Sequence, residues 1–188
     1  MIGKMAKVGF GLVLALVAQS QAAVIYGGYI TVQNNGEVIA TYRGHSAGYT
    51  NELYLSLPTN SMGVIFNNHT TPVGTSANLG THAAGTELKF SILVLNTGET
   101  FFSGPAARNP DGLVHVKTND ATAFAPDLWV GFEDLLGGGD LDYDDVQFSF
   151  SNVAALTELP SVPEPTTLGL FGLGIVGLAF AANRRKKA

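Results

Sequence analysis

The residues with most chemical potential lie between Gly131 and Phe150, in the stretch GFEDLLGGGDLDYDDVQFSF. Thirteen positions of this stretch hold six carboxylates and three adjacent glycines, without any lysine or arginine. Like charges gathered so densely must be protonated, separated or bridged by a cation. A loop rich in oxygen ligands and flexible glycines suits a hard cation, Ca²⁺ above all. The candidate metal ligands are Glu133, Asp134, Asp140, Asp142, Asp144 and Asp145.

Two segments flank these acids and must position them. Residues 128–132 and 146–150 each alternate apolar with other residues, which predicts two half-buried strands. If the two strands pair as a hairpin, the alternation carries carboxylates from both arms to one rim of the hydrophobic core. On this pattern the preferred ligands are Asp134, Asp140, Asp142 and Asp144.

Period-two alternation continues through the middle of the chain. It is clear at residues 53–57 and 88–94, and shorter strands fit VIYGGYITV, VIATY, GVIF and LVHVK. Clusters of Asn, Gly, Thr and Pro separate these segments, and none of them has helical periodicity. Eight or so short strands predict an all-β fold, an antiparallel β-sandwich that is jelly-roll-like.

The first 22 residues have the pattern of a secretory signal. Lys4 and Lys7 precede the apolar run VGFGLVLALV, and the small residues of AQSQAA follow it. The apolar run is well short of the roughly 20 residues that a membrane span needs. We therefore expect a signal peptide over residues 1–22, removed by signal peptidase, and a mature chain that begins at Ala23.

The other end of the sequence predicts a membrane-anchored tail. A Pro-Glu-Pro triplet is followed by an uncharged stretch over residues 166–182 and then by a basic cluster. As a helix, this stretch would be roughly 26 Å long, barely enough for a single transmembrane helix. The basic cluster favours the cytoplasmic side, so the chain before it faces outward. The triplet is Pro163, Glu164 and Pro165, and the cluster is Arg184, Arg185, Lys186 and Lys187.

This order of triplet, short glycine-rich span and basic end resembles the PEP-CTERM sorting signal of exported bacterial proteins, here over residues 163–188. The resemblance implies recognition of Pro163, Glu164 and Pro165 by the membrane protease exosortase. It also implies a Gram-negative host that secretes exopolysaccharide. The protein would be held briefly in the inner membrane and then reach the cell surface or the extracellular matrix, as in a biofilm.

Three known calcium patterns can be compared with the acidic stretch. DLDYDD begins like an EF-hand loop, but Asp145 and Ser151 replace the required glycine and glutamate. GGGDLD is similar to one RTX repeat, which needs stacked neighbours that this chain lacks. FEDLLGGGDLDYDD more closely resembles the signature F-E-D-L-x-x-G-G-D-x-D-Y-N-D of an extracellular β-rich domain of unknown function, with Asp144 in place of Asn.

That second resemblance extends upstream to about Gly85 and implies a calcium-binding motif but no established activity. The alternative is a solvated acidic loop in which Asp134 and Asp144 accept hydrogen bonds from backbone amides. We divide the mature chain into a β domain over residues 23–155 and a linker over residues 156–162.

Charge narrows the classes of partner. Without the two terminal segments, four basic residues remain against fourteen acidic ones, about ten net negative charges. Nucleic acid and anionic lipid are therefore poor partners, because phosphate binding needs a positive surface, whereas cations are favoured. The chain has no cysteine, so its stability must come from the hydrophobic core or from bound metal.

Signs of catalysis are weak. GHSAG at residues 44–48 fits the nucleophile-elbow pattern around Ser46, but YTNELYLSL follows it where that elbow requires a helix. We expect a turn between strands there. The four histidines lack zinc-ligand spacing, and His115 alternates with Val114 and Val116, which predicts a surface position.

These observations favour a non-catalytic surface or matrix protein, stabilised by Ca²⁺ and associated with exopolysaccharide. The alternative is a secreted hydrolase, a glycosidase or esterase that acts on matrix polymers. A glycosidase needs two carboxyl groups that face each other across a cleft, whereas these acids are clustered on one turn.

Overall fold

The computed structural model describes residues 23–58 and 62–159. The predicted signal peptide and the predicted sorting signal, including Pro163, Glu164, Pro165 and the basic cluster, lie outside the described residues. Within them the chain forms twelve β-strands and one 3₁₀ turn, Ala106–Arg108, and no α-helix. The all-β, antiparallel prediction is confirmed for this part of the chain. No helix in the described ranges is long and apolar enough to cross a membrane.

One antiparallel sheet has six strands and contains the predicted hairpin. In spatial order these strands are β1 (Val24–Tyr26), β9 (Val116–Asn119), β10 (Leu128–Phe132), β11 (Val146–Phe150), β3 (Gly36–Gly44) and β6 (Ser76–His82). Strands β10 and β11 pair with Phe132 opposite Val146 and Leu128 opposite Phe150. The hairpin prediction is therefore confirmed, and the loop between its arms spans residues 133–145.

The remaining strands form a four-stranded and a two-stranded sheet. The first has the order β5 (Phe66–Asn67), β4 (Asn51–Leu57), β7 (Lys89–Val94) and β8 (Thr100–Phe102). The second pairs β12 (Val153–Leu156) with β2 (Tyr29–Val32). Every pairing between these strands is antiparallel.

The six-stranded and four-stranded sheets contribute side chains to one hydrophobic core. Phe90 of β7 stacks on Phe150 of β11 with ring centroids 4.2 Å apart, and Phe66 stacks on Phe148 at 6.0 Å. Offset aromatic pairs of this kind add about 0.5–1.5 kcal/mol each to the stabilisation from burial. The alternating residues of the sequence thus face inward, which agrees with the two-layer fold that they predict.

Two of the finer predictions need correction. VIYGGYITV is not one strand, because Gly27 has a φ of +67° and the chain turns there from β1 into β2 of a different sheet. His115 is not at the surface but is fully buried, with its ring stacked on Phe101 at 3.8 Å. Alternation failed at His115 because the Glu133 carbonyl and the Asp111 carboxylate provide hydrogen-bond partners that compensate the burial of its ring.

Candidate metal centre

The loop between β10 and β11 folds tightly back on itself. Gly137, Gly138 and Gly139 have φ values of +87°, +83° and +56°, a region where a side chain is unfavourable. Backbone bonds from Gly138 N to Leu135 O and from Leu141 N to Gly138 O close successive turns, at 2.9 and 3.2 Å. These turns return the second half of the loop towards the end of β10, where its acids meet those of the first half.

Glu133, directly after β10, is the key residue of this loop. Its side chain is fully buried, and Oε1 accepts a hydrogen bond from the Tyr143 amide at 2.5 Å. Oε2 is also buried and has no hydrogen-bond partner. A buried carboxylate oxygen without a partner is costly, because burial removes its hydration. A proton, a bound water or a cation would relieve that cost.

Two exposed acids complete a potential cation site around Glu133. Asp140 and Asp142 each place a carboxylate oxygen so that these and the Glu133 oxygen lie within 4.8 Å of one another. Ca²⁺ binds oxygens at about 2.3–2.6 Å, so ligands on opposite sides of the ion lie about 5 Å apart. The observed spacing is therefore compatible with Ca²⁺.

Gly139 keeps space open beside this group. A β-carbon at residue 139 would lie 2.8 Å from Glu133 Oε2, closer than a real contact allows, and the backbone there is left-handed. Glycine therefore avoids both a steric clash with the carboxylate and a strained backbone. Gly139, the third glycine of the run, therefore leaves room for the unpartnered Oε2 of Glu133.

The electrostatics of the loop oppose ionisation of Glu133. Burial raises the pKa of Glu133 to about 7, against the lowering effect of the hydrogen bond from the Tyr143 amide. The negative charges of Asp145, Asp142 and Asp140 raise this pKa further. A divalent cation among these groups would reverse that effect by favouring the ionised forms.

Asp134 and Asp145 form a second pair of acids beside the first group. Asp134 is buried and accepts a hydrogen bond from Asn51 Nδ2 of β4 at 2.7 Å. Its amide donates to Asp145 Oδ2 at 2.9 Å. Burial raises the pKa of Asp145 to about 6, and the charges of Asp134 and Asp142 act in the same direction. This pair links the hairpin loop to the four-stranded sheet.

Asp144 has a different environment from the other acids. One of its carboxylate oxygens accepts a hydrogen bond from the Ser46 hydroxyl, and its amide donates to Asp142 Oδ1 at 3.0 Å. Ser46 lies in the connection between β3 and β4 and is followed by a strand, as the sequence predicts. Among its described contacts, the Ser46 side chain meets a carboxylate and no histidine.

The structure thus sorts the six predicted ligands. Glu133, Asp140 and Asp142 come together, Asp134 pairs with Asp145, and Asp144 contacts Ser46. Glu133 joins the group although strict alternation points it away from Asp134. Alternation does not continue past β10, because Phe132, Glu133 and Asp134 are all buried in succession. Binding of Ca²⁺ by these residues stays a prediction.

Two residues that the sequence pattern did not place at the site, His115 and Asp111, hold Glu133 in position. The backbone carbonyl of Glu133 faces His115 Nδ1 at 3.1 Å, and His115 Nε2 lies 2.9 Å from Asp111 Oδ2. Both ring nitrogens face acceptors, since a carbonyl and an ionised carboxylate have no proton to donate. The ring therefore bridges Asp111 and the end of β10. The spacing Asp-x-x-x-His was the available signal in the sequence.

Asp111 also ties down the glycine turn. Its carboxylate accepts hydrogen bonds from the amides of Gly137 at 2.8 Å and Leu113 at 3.0 Å. Burial acts to raise the pKa of Asp111, but these two bonds and the contact with His115 outweigh it and lower the pKa to about 2. Asp111 therefore stays ionised at neutral pH and holds the glycine turn through its hydrogen bond from the Gly137 amide.

A groove lies next to the acids, between the hairpin loop and the neighbouring connections. Its volume is about 480 Å³. The lining includes Ser46, Tyr49, Asn96, Asp134, Asp140 and Asp145. The lining combines carboxylate oxygens with one aromatic ring and includes no basic side chain.

Comparison with known protein families finds a match near the end of the chain. Residues 161–186 match the PEP-CTERM protein-sorting motif. The comparison with curated proteins and the comparison with solved structures each found no match. The matched motif includes the predicted recognition residues Pro163, Glu164 and Pro165. The chain therefore carries the sorting motif of exported proteins that exosortase processes.

Proposed function

We propose that this chain is a non-catalytic surface or extracellular-matrix protein whose β domain, a jelly-roll-like sandwich, binds Ca²⁺ at Glu133, Asp140 and Asp142. The observation that carries the proposal is the buried carboxylate of Glu133, which has one unpartnered oxygen, Oε2, and which groups with two exposed carboxylates. The ion would neutralise the buried charge and join the end of β10 to the second half of the loop.

The donor set favours calcium over other common metals. The three residues offer only carboxylate oxygens, whereas structural zinc sites favour cysteine and histidine. Magnesium demands near-ideal octahedral geometry at about 2.0–2.1 Å, while calcium accepts six to eight oxygens in irregular arrangements. A glycine-rich loop with two exposed ligands fits the irregular coordination of calcium, with water or backbone carbonyls as further ligands.

The non-catalytic part of the proposal is supported by the positions of the acidic and nucleophilic groups. Glu133 has the raised pKa of a general acid, but its side chain is fully buried and out of reach of a polymer. Ser46 hydrogen-bonds to Asp144 rather than to a histidine base. A secreted hydrolase would need one of these groups to be accessible and paired with a catalytic partner.

The sorting motif supports the cellular part of the proposal. Signal peptidase and exosortase would act on the chain during export from a Gram-negative cell. The released protein would then contribute to an exopolysaccharide matrix or biofilm. Its strong negative charge favours neutral or cation-bridged polymers over direct binding of polyanions.

Calcium binding is tested by thermal unfolding of the β domain, residues 23–159, in calcium and in chelator. Calcium at about 100 times its dissociation constant should stabilise the wild type by about 2.7 kcal/mol, because only the folded state has the site. Asp140→Asn combined with Asp142→Asn should remove this gain. The matched control, Glu37→Gln with Glu158→Gln, removes the same charge elsewhere on the surface and should keep it.

Equal unfolding of the wild type in calcium and in chelator would reject the site and leave a solvated acidic loop. Export is tested separately by the intact mass of protein recovered outside the cell. We expect a chain that begins near Ala23 and ends near Pro163. Recovery of full-length chain that retains Arg184 to Lys187 would contradict exosortase processing.

A further inference from the structure

We propose that the calcium-loaded hairpin loop docks the β domain on the outward surface of the membrane that holds the sorting tail. The ligand would be an anionic phospholipid surface, with lipid phosphate oxygens bound to the calcium and leucines inserted between the headgroups. This inference rests on the proposed calcium site and adds a partner to it.

Strand order places the acidic loop and the exit of the chain at the same end of the domain. Phe132 and Val146 mark this end, and Asn152, whose carbonyl accepts from the Gln33 amide, marks the other. Strand β12 starts beside Val32 at the far end and runs back until Leu156 lies opposite Tyr29. The polypeptide therefore leaves the domain towards the acidic end.

The beginning of β2 confirms this direction through its contacts. Tyr26, shortly before β2, has its ring 5.4 Å from that of Tyr143 in the acidic loop. A β-carbon at Gly28 would lie 3.4 Å from the carbonyl oxygen of Leu156. A short path thus connects the last strand to the loop that carries the calcium ligands.

Few residues separate this exit from the membrane-anchored sorting motif. Seven residues lead from Leu156 to Pro163, which limits the distance to about 25 Å even when fully extended. Tethering over such a distance gives an effective concentration in the millimolar range. A weak contact between the loop and the lipid surface would then be well populated before the tail is cleaved.

The acidic end exposes a group of leucines around the candidate site. Leu136 and Leu141 are 58% and 56% exposed, and Leu113 and Leu135 are exposed by about two fifths. Leu113 and Leu141 flank Gly138, while Leu135 lies beside Gly139 and the Glu133 carboxylate. Apolar side chains at such exposure around a polar centre are typical of interaction surfaces.

Aromatic and basic groups border these leucines. Tyr26 is 56% exposed, and Lys117 Nζ lies 5.9 Å from the ring centres of both Tyr26 and Tyr143. The Tyr143 hydroxyl donates to the carbonyl of Val114, next to Leu113. Exposed tyrosine beside lysine is a common arrangement at the headgroup level of membranes.

Calcium is required because the loop alone carries the wrong charge. The acids repel an anionic surface, and the β domain has a large net negative charge. A calcium ion on Asp140 and Asp142 is exposed on one side, since both side chains are exposed. Three carboxylates also leave ligand positions open for lipid phosphate, given the six to eight oxygens that calcium takes.

The test uses the full chain, reconstituted into vesicles through its own tail. The sequence has no cysteine, so Leu136→Cys and Ala84→Cys each provide a single labelling position. Ala84 is exposed at the far end, where its amide contacts Asn35. An environment-sensitive dye at each position is quenched by lipids that carry a quencher in the acyl chains.

We expect strong quenching at position 136 when calcium and phosphatidylglycerol are both present, and little at position 84 under any condition. In phosphatidylcholine vesicles, quenching at position 136 should fall several-fold. With the dye moved to Leu113→Cys, the changes Leu136→Ser and Leu141→Asn should reduce quenching, while the calcium-induced rise in unfolding temperature is kept. Asparagine suits the left-handed φ of +63° at residue 141.

The outcomes separate the two proposals. A calcium-dependent rise in unfolding temperature without quenching at position 136 overturns docking and keeps the calcium site. No calcium effect on either measurement overturns both. Quenching that persists in chelator overturns calcium-dependent docking. Added exopolysaccharide that abolishes the quenching would point to the polymer as the preferred ligand and overturn the membrane assignment.

Discussion

The interior between the sheets and the acidic end of the domain bury very different groups. In the interior, Phe90, Phe148 and Phe150 contact other rings and have no polar atom to satisfy. At the acidic end, Glu133 and Asp134 are just as buried but carry carboxylates, and Oε2 of Glu133 has no partner. The interior thus stabilises the fold by itself, whereas the acidic end carries a buried charge whose cost depends on protonation and on bound ligands.

Stability should depend on solution conditions at the acidic end and much less in the interior. Burial of apolar surface is insensitive to calcium and to pH, while buried carboxylates respond to both. Substitutions in the two regions should therefore differ in sign and in their response to calcium.

The largest effect is expected from Phe148→Ala in the interior. Phe148 is fully buried against Tyr42, Phe66 and Phe132, so its loss should destabilise the domain by about 3–5 kcal/mol. Denaturant unfolding should give the same loss in calcium and in chelator. A loss confined to one of these conditions would show that the interior and the acidic end are energetically coupled.

Glu133→Gln should act in the opposite direction. Glutamine can still accept the hydrogen bond from Tyr143 but carries no buried charge, so in chelator at pH 7.5 we expect a gain of about 2–3 kcal/mol. In calcium the variant should lose the stabilisation of the wild type, because one ligand is missing. The control is Glu158→Gln, an exposed change, and destabilisation of Glu133→Gln in chelator would contradict the electrostatic account.

The pH dependence should be smaller but diagnostic. Between a pKa of about 4.3 in the unfolded chain and about 7 in the fold, Glu133 binds more protons in the folded state. Stability in chelator should therefore fall as pH rises from 5 to 7, by about 1–2 kcal/mol. The raised pKa of Asp145 acts in the same direction, while Asp111, with a pKa of about 2, stays ionised throughout.

Calcium should remove this decline, since its ligands must be ionised and its binding strengthens as pH rises. Urea unfolding at several pH values, in calcium and in chelator, measures both trends. A rise in chelator stability between pH 5 and 7 would mean that Glu133 is not the dominant titrating group of the acidic end.

Ser46→Ala should have the smallest effect. The serine is exposed and contributes one hydrogen bond to Asp144, so its loss should cost less than about 1 kcal/mol and leave calcium binding intact. Short acyl esters should not be hydrolysed by the wild type or by the variant. Ester hydrolysis that disappears with this change would support the secreted hydrolase instead.

Local patterns in the sequence predicted much of the architecture. Alternation at residues 53–57, 88–94, 128–132 and 146–150 identified four strands, because one buried face imposes a period of two on neighbouring residues. The hairpin followed since its arms are close in sequence. Strand β6 was missed because SANLGTH has only one large apolar residue, Leu79, and pairs with the distant β3.

The all-β class, the hairpin around the acids and the sorting motif could be predicted from the sequence, because each depends on residues close together in the chain. Which acids meet could not be predicted, because the burial of Glu133 depends on remote partners. His115 and Asp111 hold its backbone and the glycine turn, and Asn51 of another sheet holds Asp134. A polar group can be buried where distant segments provide its hydrogen-bond partners, and a pattern of neighbouring residues does not show which distant segments these are.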